Sequence, residues 1–497
     1  MKHILSVVAL LISLNSWGQD ISDVYRYSSN VYSGTARFSG MAGSIGALGG
    51  DFSAVSINPA GLGVYRSNDF SFTPNLNFNR SNSSYQGQVG SDNTFNLGIS
   101  NIGLALTFSN PVRQEDIGIV SFNFGIGYNK LRDFNSSVTT SGVDVASITD
   151  VFLEATKRVP YADRNSLSKE NSPFANYNSS YWGLIMAWNN FIIDADATGY
   201  ISHLANNDIV FQNRLITTSG SQGEYALSFA GNVADKFYFG GTLGIQDLYY
   251  KNKTDYSEAA VDGNTGEFQD LNYKQIFETI GSGYNFKLGM IIKPIHSLRI
   301  GVAFHTPTFF NLKDRFSSSM DTHVYDVNTL KGYSMDSPLG EYDYNMVTPY
   351  KFVASLGYIL LDKIAMNIDY EYVDYTVMRL RSGGQSNSFK AENDQISAMV
   401  ESSSNYRFGA EYHEGIFFLR GGYAYYGSPY KQGYLNSNSN TQVFAGGVGL
   451  RTGTFYTDFT YSKTRFTDEN FLYNGSEGVV NDKHSQNQFI LTFGYKF

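Results

Sequence analysis

The chain reads as an all-β protein: a transmembrane antiparallel β-barrel of about 14 strands, with an N-terminal hatch plugging the lumen. Three observations predict this. Phe489, Leu491, Phe493, Tyr495 and Phe497 share one face of a final strand, with Ile490, Thr492, Gly494 and Lys496 on the other. A bare aromatic edge of this kind invites aggregation in water but suits a strand facing lipid. The same period of two recurs along most of the chain, and the connections between alternating segments are short and long in turn. Short periplasmic turns and long extracellular loops are how an up-and-down membrane barrel sorts its connections.

The elements follow in order. Residues 1–18 join a basic start (Lys2, His3) to an apolar run from Ile4 to Leu14 and small residues around Trp17, the pattern of a secretory signal peptide cleaved before Gln19. That run is too short to span a membrane as a helix. Residues 19–66 do not alternate and are assigned to the hatch; residues 67–497 are assigned to the barrel and its long extracellular loops. Phe70, Phe72, Leu76 and Phe78 share the parity of a first strand. In the second segment Phe95, Leu97 and Ile99 are odd but Ile102, Leu104, Leu106 and Phe108 are even, which predicts a bulge. Val120 to Tyr128 form a third strand, and further alternating segments run through to the closing strand. Short connections fall at 110–115, 232–236, 293–297, 361–363, 413–415 and 451–453. Long ones fall at 81–92, 132–207, 251–268, 311–345, 379–402, 427–440 and 467–486.

Composition excludes other classes. Among 497 residues there are 37 Tyr, 37 Phe, 49 Gly and no Cys, with only 16% charged. No run of eighteen apolar residues follows the signal, so a helical membrane protein is excluded, and half-polar strands explain the mean hydropathy of -0.25. A net charge of -9 argues against a nucleic-acid partner. The absence of Cys removes a disulfide scaffold and thiol catalysis. No G-x-S-x-G, H-E-x-x-H or phosphate-binding loop is present, so no enzyme activity, metal or cofactor is expected.

The segment before the barrel carries Gly40-Met-Ala-Gly-Ser-Ile-Gly-Ala-Leu-Gly-Gly50, then Asp51-Phe-Ser53 and Asn58-Pro59-Ala60. A fourteen-strand barrel is wider than side chains alone can fill. A compact run of small residues, with a turn set by Asn58-Pro59, is suited to fill it. Together with Gly34-Thr-Ala-Arg37, these motifs resemble the N-terminal hatch of the FadL/TodX family of outer-membrane transporters for hydrophobic compounds. Gly301-Val-Ala-Phe-His-Thr-Pro-Thr-Phe309 resembles a branch of that family often labelled hemin receptor. The resemblance implies a bacterial outer-membrane location and passive, hatch-gated uptake of a fatty-acid-like or other hydrophobic ligand. It also implies lateral exit through a kinked third strand, and a terminal Phe serving the barrel-assembly machinery. Hemin is the lesser ligand, because the six mature histidines form no local axial pair. The alternative reading is a surface receptor or adhesin anchored in outer-membrane lipid by the barrel. A monomer is expected.

Candidate residues follow. Asp51, Ser53, Asn58, Pro59 and Ala60 form the hatch motif. Gly125 and Gly127, on the lumen parity of the third strand, are candidates for its distortion; equally they make room for the hatch. Arg299 and His305 face the lumen and meet either a ligand headgroup or the hatch. Asp369 and Glu371 also face it, as partners for basic wall residues or hatch backbone. Ile148, Val151, Phe152 and Ala155 repeat at helical spacing in the longest loop. With Trp182, Met186 and Trp188 they make either a ligand-collecting groove or a loop packed on itself.

Overall fold

The computed structural model describes residues 21–110, 118–205, 207–261, 263–384 and 389–497. The expected signal peptide, Gln19 and the turn beyond Asn110 lie outside these residues. Fourteen antiparallel strands close into one barrel. They are β1 (Asp69–Tyr85), β2 (Gln88–Ser109), β3 (Ile119–Asp133), β4 (Val210–Val233), β5 (Phe237–Ala260), β6 (Phe268–Ile292) and β7 (Leu298–His305). The circle continues with β8 (Lys351–Leu360), β9 (Ile364–Asp374), β10 (Ser402–Glu414), β11 (Phe417–Tyr426), β12 (Thr441–Thr452), β13 (Phe455–Phe471) and β14 (Val479–Lys496). Ser136–Asp144 prolongs β3, Phe309–Asp326 prolongs β7, and Gly340–Val347 precedes β8. β14 pairs with β1 from Asp69↔Lys496 to Ser84↔Asn481, so the aromatic last strand closes the circle and leaves no edge.

The alternation becomes two faces. Phe124 and Ile126 on β3, Leu288 and Met290 on β6, Met366 and Ile368 on β9, and Phe489 and Phe493 on β14 are exposed outward. Their neighbours Asn123, Asn285, Lys287, Asn367, Asp369, Ile490 and Thr492 are buried inward. At about 25 cal/mol per Å², a continuous apolar belt is unfavourable in water and favourable in lipid. Among the described residues no helix is long and apolar enough to cross a membrane. The phase change in β2 is a bulge: Thr73 pairs with Asn101 and Pro74 with Ile99, leaving Ser100 unmatched. Pro74 has no N–H to give, so the ladder breaks where the side chains change parity.

Several segments expected to be loops are strand. β5 runs to Ala260 and β6 starts at Phe268, and the β7 extension folds back through Thr329–Asp336. Above the belt neither face meets lipid, so sequences such as Asn252-Lys-Thr-Asp255 pair without apolar alternation. The helix expected from spacing is α3 (Ile148–Thr156). It starts on a Ser147/Asp150 capping box, with Glu258 accepting from the Ile148 N–H at 2.8 Å.

Residues 21–66 lie in the lumen as α1 (Ile21–Ser28), α2 (Ala36–Gly40) and two 3₁₀ turns, Phe52–Ser56 and Pro59–Val64. Their bonds reach the wall in several directions. Ser53 donates to Asn129 on β3 (3.2 Å), Tyr27 to Thr279 on β6 (3.0 Å) and Ser44 to the Asn367 carbonyl on β9 (2.9 Å). The Ala36 amide donates to Thr492 on β14 (2.7 Å), and its carbonyl accepts from Thr460 on β13 (2.6 Å).

Candidate functional site: plug, seam and cavity

The hatch motif is a set of backbone braces. Asp51 accepts from the Ser53 N–H (2.9 Å) and the Thr35 hydroxyl (2.7 Å), and Ser53 Oγ accepts from the Thr35 N–H (2.9 Å). Asn58 caps the second 3₁₀ turn by accepting from the Ala60 N–H (3.1 Å), with Pro59 in its first turn. Its amide donates to the Gly46 carbonyl within the hatch (2.8 Å) and to the Met290 carbonyl of β6 (3.2 Å). Asn58 thus ties plug to plug and plug to wall. Wall glycines let it sit there: a Cβ on Gly289 would stand 1.9 Å from Asn58 Oδ1, and one on Gly240 2.6 Å from Pro59.

Arg299 and His305 belong to this fastening. Arg299 donates to the Leu48 carbonyl (2.8 Å) and His305 Nε2 donates to the Ile57 carbonyl (2.8 Å); neither lines the large cavity described below. Their contacts are hatch carbonyls, which leaves the ligand-headgroup alternative without support. Asp369 accepts from the Ile45 N–H (3.2 Å), and Glu371 pairs with Arg407 of β10 (3.1 Å). A second network was not singled out from sequence. Arg37 of α2 binds Glu411 (3.0 Å), which also binds Arg420, and Arg420 reaches Asp458 (2.5 Å each). Inward parity on β10, β11 and β13 was the available signal.

The seam in the wall lies above Gly125 and Gly127, not at them. Gly125 pairs with Ala105 on β2 and Ser228 on β4, and Gly127 with Gly103 and Ala226, so the ladder there is unbroken on both sides. These glycines make room for the hatch: a Cβ on Gly127 would stand 2.5 Å from the Phe52 ring, and one on Gly125 3.1 Å from Leu62. The β2–β3 ladder ends at Asn101↔Asn129, and the β3–β4 register slips between Lys130 and Arg132. Beyond that point Gln88–Ser100 of β2 pairs with β1 alone. The β3 extension pairs with β4 and leans on the lumen side of β1 through Ser83–Thr140 (2.7 Å). Side chains bridge the seam: Asp133 accepts from Asn96 of β2 (2.9 Å) and Asn77 of β1 (3.2 Å).

Between α1 and the long loops lies a cavity of about 1030 Å³. Phe134, Val138, Phe152, Leu184, Tyr250 and Tyr273 give it an apolar side; Thr464, Asp468, Asp482, His484 and Gln486 give it a polar one; Lys130 to Asn135 bring it to the seam. Of the ligand-contact residues expected from the sequence, Phe152 alone lines it. Trp182, Met186 and Trp188 instead pack in a core shared by the loop (Leu167, Ile185) and the extended strands (Phe268, Phe316, Met320), and Trp188 donates to Ser168. Those three residues therefore fasten the longest loop to itself and to the extended strands. Among the described histidines, His484 alone lines the cavity.

No protein-family model and no curated protein matches the chain. Among solved structures it is similar to a Pseudomonas aeruginosa FadL homologue, at 13% identity and a TM-score of 0.55, over 94% of this chain and 100% of that one. It is similar also to the P. putida toluene transporter TodX, at 11% identity and a TM-score of 0.53, over 94% and 99%. The fold is that of the FadL-type barrel. In this barrel the N-terminal segment fills the lumen, the cavity lies between α1 and the long loops, and Lys130 to Asn135 of its lining stand beside the seam.

Proposed function

We propose that this protein is a bacterial outer-membrane channel for passive uptake of hydrophobic small molecules. A ligand enters from the long-loop, extracellular side, occupies the cavity, and leaves sideways between β2 and β3 into the bilayer. The observation that carries the reading is the cavity itself: apolar on one side, floored by the hatch, and reaching a stretch of wall without backbone pairing. An apolar solute gains little from an aqueous channel and more from passing directly into lipid. The FadL-type architecture and the toluene transport named for TodX support the same class of cargo, fatty-acid-like or aromatic. The outward belt and closing Phe497 fit insertion by the barrel-assembly machinery, and a self-closed barrel works as a monomer. Hemin receives no support from a cavity that offers one histidine. The adhesin reading gives no use to a plug bonded so widely to its wall.

The absence of native Cys makes the test clean. Asn96→Cys with Asp133→Cys, bridged by a short bifunctional thiol reagent, should block uptake of a labelled hydrophobic aromatic, and reduction should restore it. Full uptake through the bridged protein would rule out exit at the seam. No uptake by the unmodified protein would rule out the function.

A further inference from the structure

We propose that the outer face of the wall, just above the belt, binds a phosphate-bearing lipid headgroup of the outer leaflet through Arg80, Arg465 and Lys483, gathered around Ser485 with Lys463 beside them. The inference goes beyond the uptake reading and takes from it only the outer-membrane location. In the strand register Ser485 of β14 lies directly between Arg80 of β1 and Arg465 of β13. Lys483, two residues along β14, is diagonal to both arginines, and Lys463 lies two residues before Arg465 on β13. Opposed residues on neighbouring strands stand roughly 5 Å apart at Cβ and diagonal ones roughly 7–8 Å, so all four cations surround Ser485 at that range. They point out of the barrel, because their chain neighbours point in. Asn79 and Ser81, on either side of Arg80, bond to Asn135 and Ser136 of the lumen-side β3 extension. Ser462, Thr464 and Asp482 are buried, and Phe466 stacks on His484 inside the cavity.

Position and charge together name the occupant. Phe78, Tyr461 and Phe489 are exposed outward just below the cluster, and the Phe489 ring stands 5.8 Å from Phe78 and 5.3 Å from Tyr461. Such aromatic girdles mark the boundary between hydrocarbon and headgroups. The cations occupy the next one to three outward positions, which is headgroup depth. Among the described residues none of the four side chains has an ion pair or hydrogen bond. Glu469, the nearest carboxylate of outward parity, accepts from the Asn436 N–H (3.2 Å). Elsewhere the wall above the belt neutralises its own charges: Lys251 pairs with Glu278 (3.3 Å), Arg315 with Glu341 (2.8 Å) and Lys313 with Asp343 (3.7 Å). Like charges crowded on one sheet face repel one another, and an anion among them offsets that repulsion. The guanidinium fork fits phosphate oxygens, the ammonium adds a point charge, and the Ser485 hydroxyl is a further donor. A phosphate seated there leaves its lipid's acyl chains against Phe78, Tyr461 and Phe489.

The test is native mass spectrometry of the full chain in detergent, titrated with diphosphoryl lipid A, with phosphatidylcholine, or with lipid A in the presence of inorganic phosphate. Lipid A should bind more tightly than phosphatidylcholine. Arg80→Gln, Arg465→Gln and Lys483→Gln combined should weaken lipid A binding at least about tenfold, leave phosphatidylcholine binding unchanged and keep the heat-modifiable gel shift. Arg80→Lys with Arg465→Lys, which keeps the charge, should retain most of the binding. Lys251→Gln, Lys313→Gln and Arg315→Gln combined remove the same charge from the self-paired side and should leave lipid A binding unchanged. Equal losses from the two triple variants, lipid A bound no more tightly than phosphatidylcholine, or displacement of lipid A by millimolar inorganic phosphate overturns the proposal. None of these outcomes touches the bridging test at Asn96 and Asp133, so the two readings fail separately.

Discussion

Asn58 shows how much one side chain decides. Its carboxamide makes three bonds, to Ala60, Gly46 and Met290, in a site closed to water. Removing a buried partner costs about 1–3 kcal/mol, and about 1.4 kcal/mol shifts an equilibrium tenfold. Asn58→Ala should change hydrophobic uptake several-fold while surface expression and heat-modifiable mobility stay at wild-type levels; an uptake loss matched by lost folded protein would reduce Asn58 to an assembly role. Asp468 predicts a pH dependence. Its carboxyl is pushed up from 3.8 to about 6, first by burial and then by Asp482 and Glu469, against Arg26 of α1 and Arg214 of β4, with the His484 imidazole adjacent. The folded state binds this proton more tightly than the unfolded chain, so ionisation is a stability penalty, complete above about pH 6 and relieved as pH falls toward 3.8. Asp468→Asn should therefore melt no lower than wild type at pH 7.5 in detergent, and any gain should shrink as pH falls toward 3.8.

Strand β3 decides where the wall opens. The lumen-facing glycines were legible as special, but their purpose came from what packs against them: Phe52 and Leu62 occupy the space a Cβ would need. The break lies higher, where the chain turns inward after Asn129 and Asp133 replaces ladder bonds with side-chain bonds to Asn77 and Asn96. Hydrogen exchange in detergent should find fast amides on the free edge of Gln88–Ser100 and protected ones across Asn101–Ser109. Uniform protection along β2 would mean the seam is closed. The loops also hold α1 from above. Ile21, Val24 and Tyr27 share a core with Ile396 of the helix α5 (Lys390–Met399), which follows α4 (Trp182–Asn189) among the longer helices, and with Tyr430. The Tyr25 ring stands edge-on to Tyr375 and Tyr430.

The whole molecule is a closed wall around a plug that bonds to that wall at several points. Barrel closure depends on β14 pairing with β1 and involves no hatch residue. The lumen carboxylates and guanidiniums that bind the hatch would be hydrated once it left. Deleting residues 21–66 behind an intact export signal should therefore give a heat-modifiable, inserted barrel that passes small sugars in liposome swelling, where the full chain does not. A barrel that fails to insert, or stays tight to sugars, would contradict this division of labour.

Period-two alternation by itself determined the barrel, the outward face of its strands and the bulge in β2, because lipid demands apolar side chains at every second position. Gly-rich composition and the Asn58-Pro59-Ala60 turn located the plug. Sequence was silent where lipid exerts no demand: the polar strand extensions above the belt read as loops. It was also silent where partners are distant in the chain, as with Arg37 and Glu411 or His305 and Ile57. Only closure of the cylinder brings those residues together. The fate of an inward-facing polar group is set by its neighbour across the lumen, and no local pattern records that neighbour.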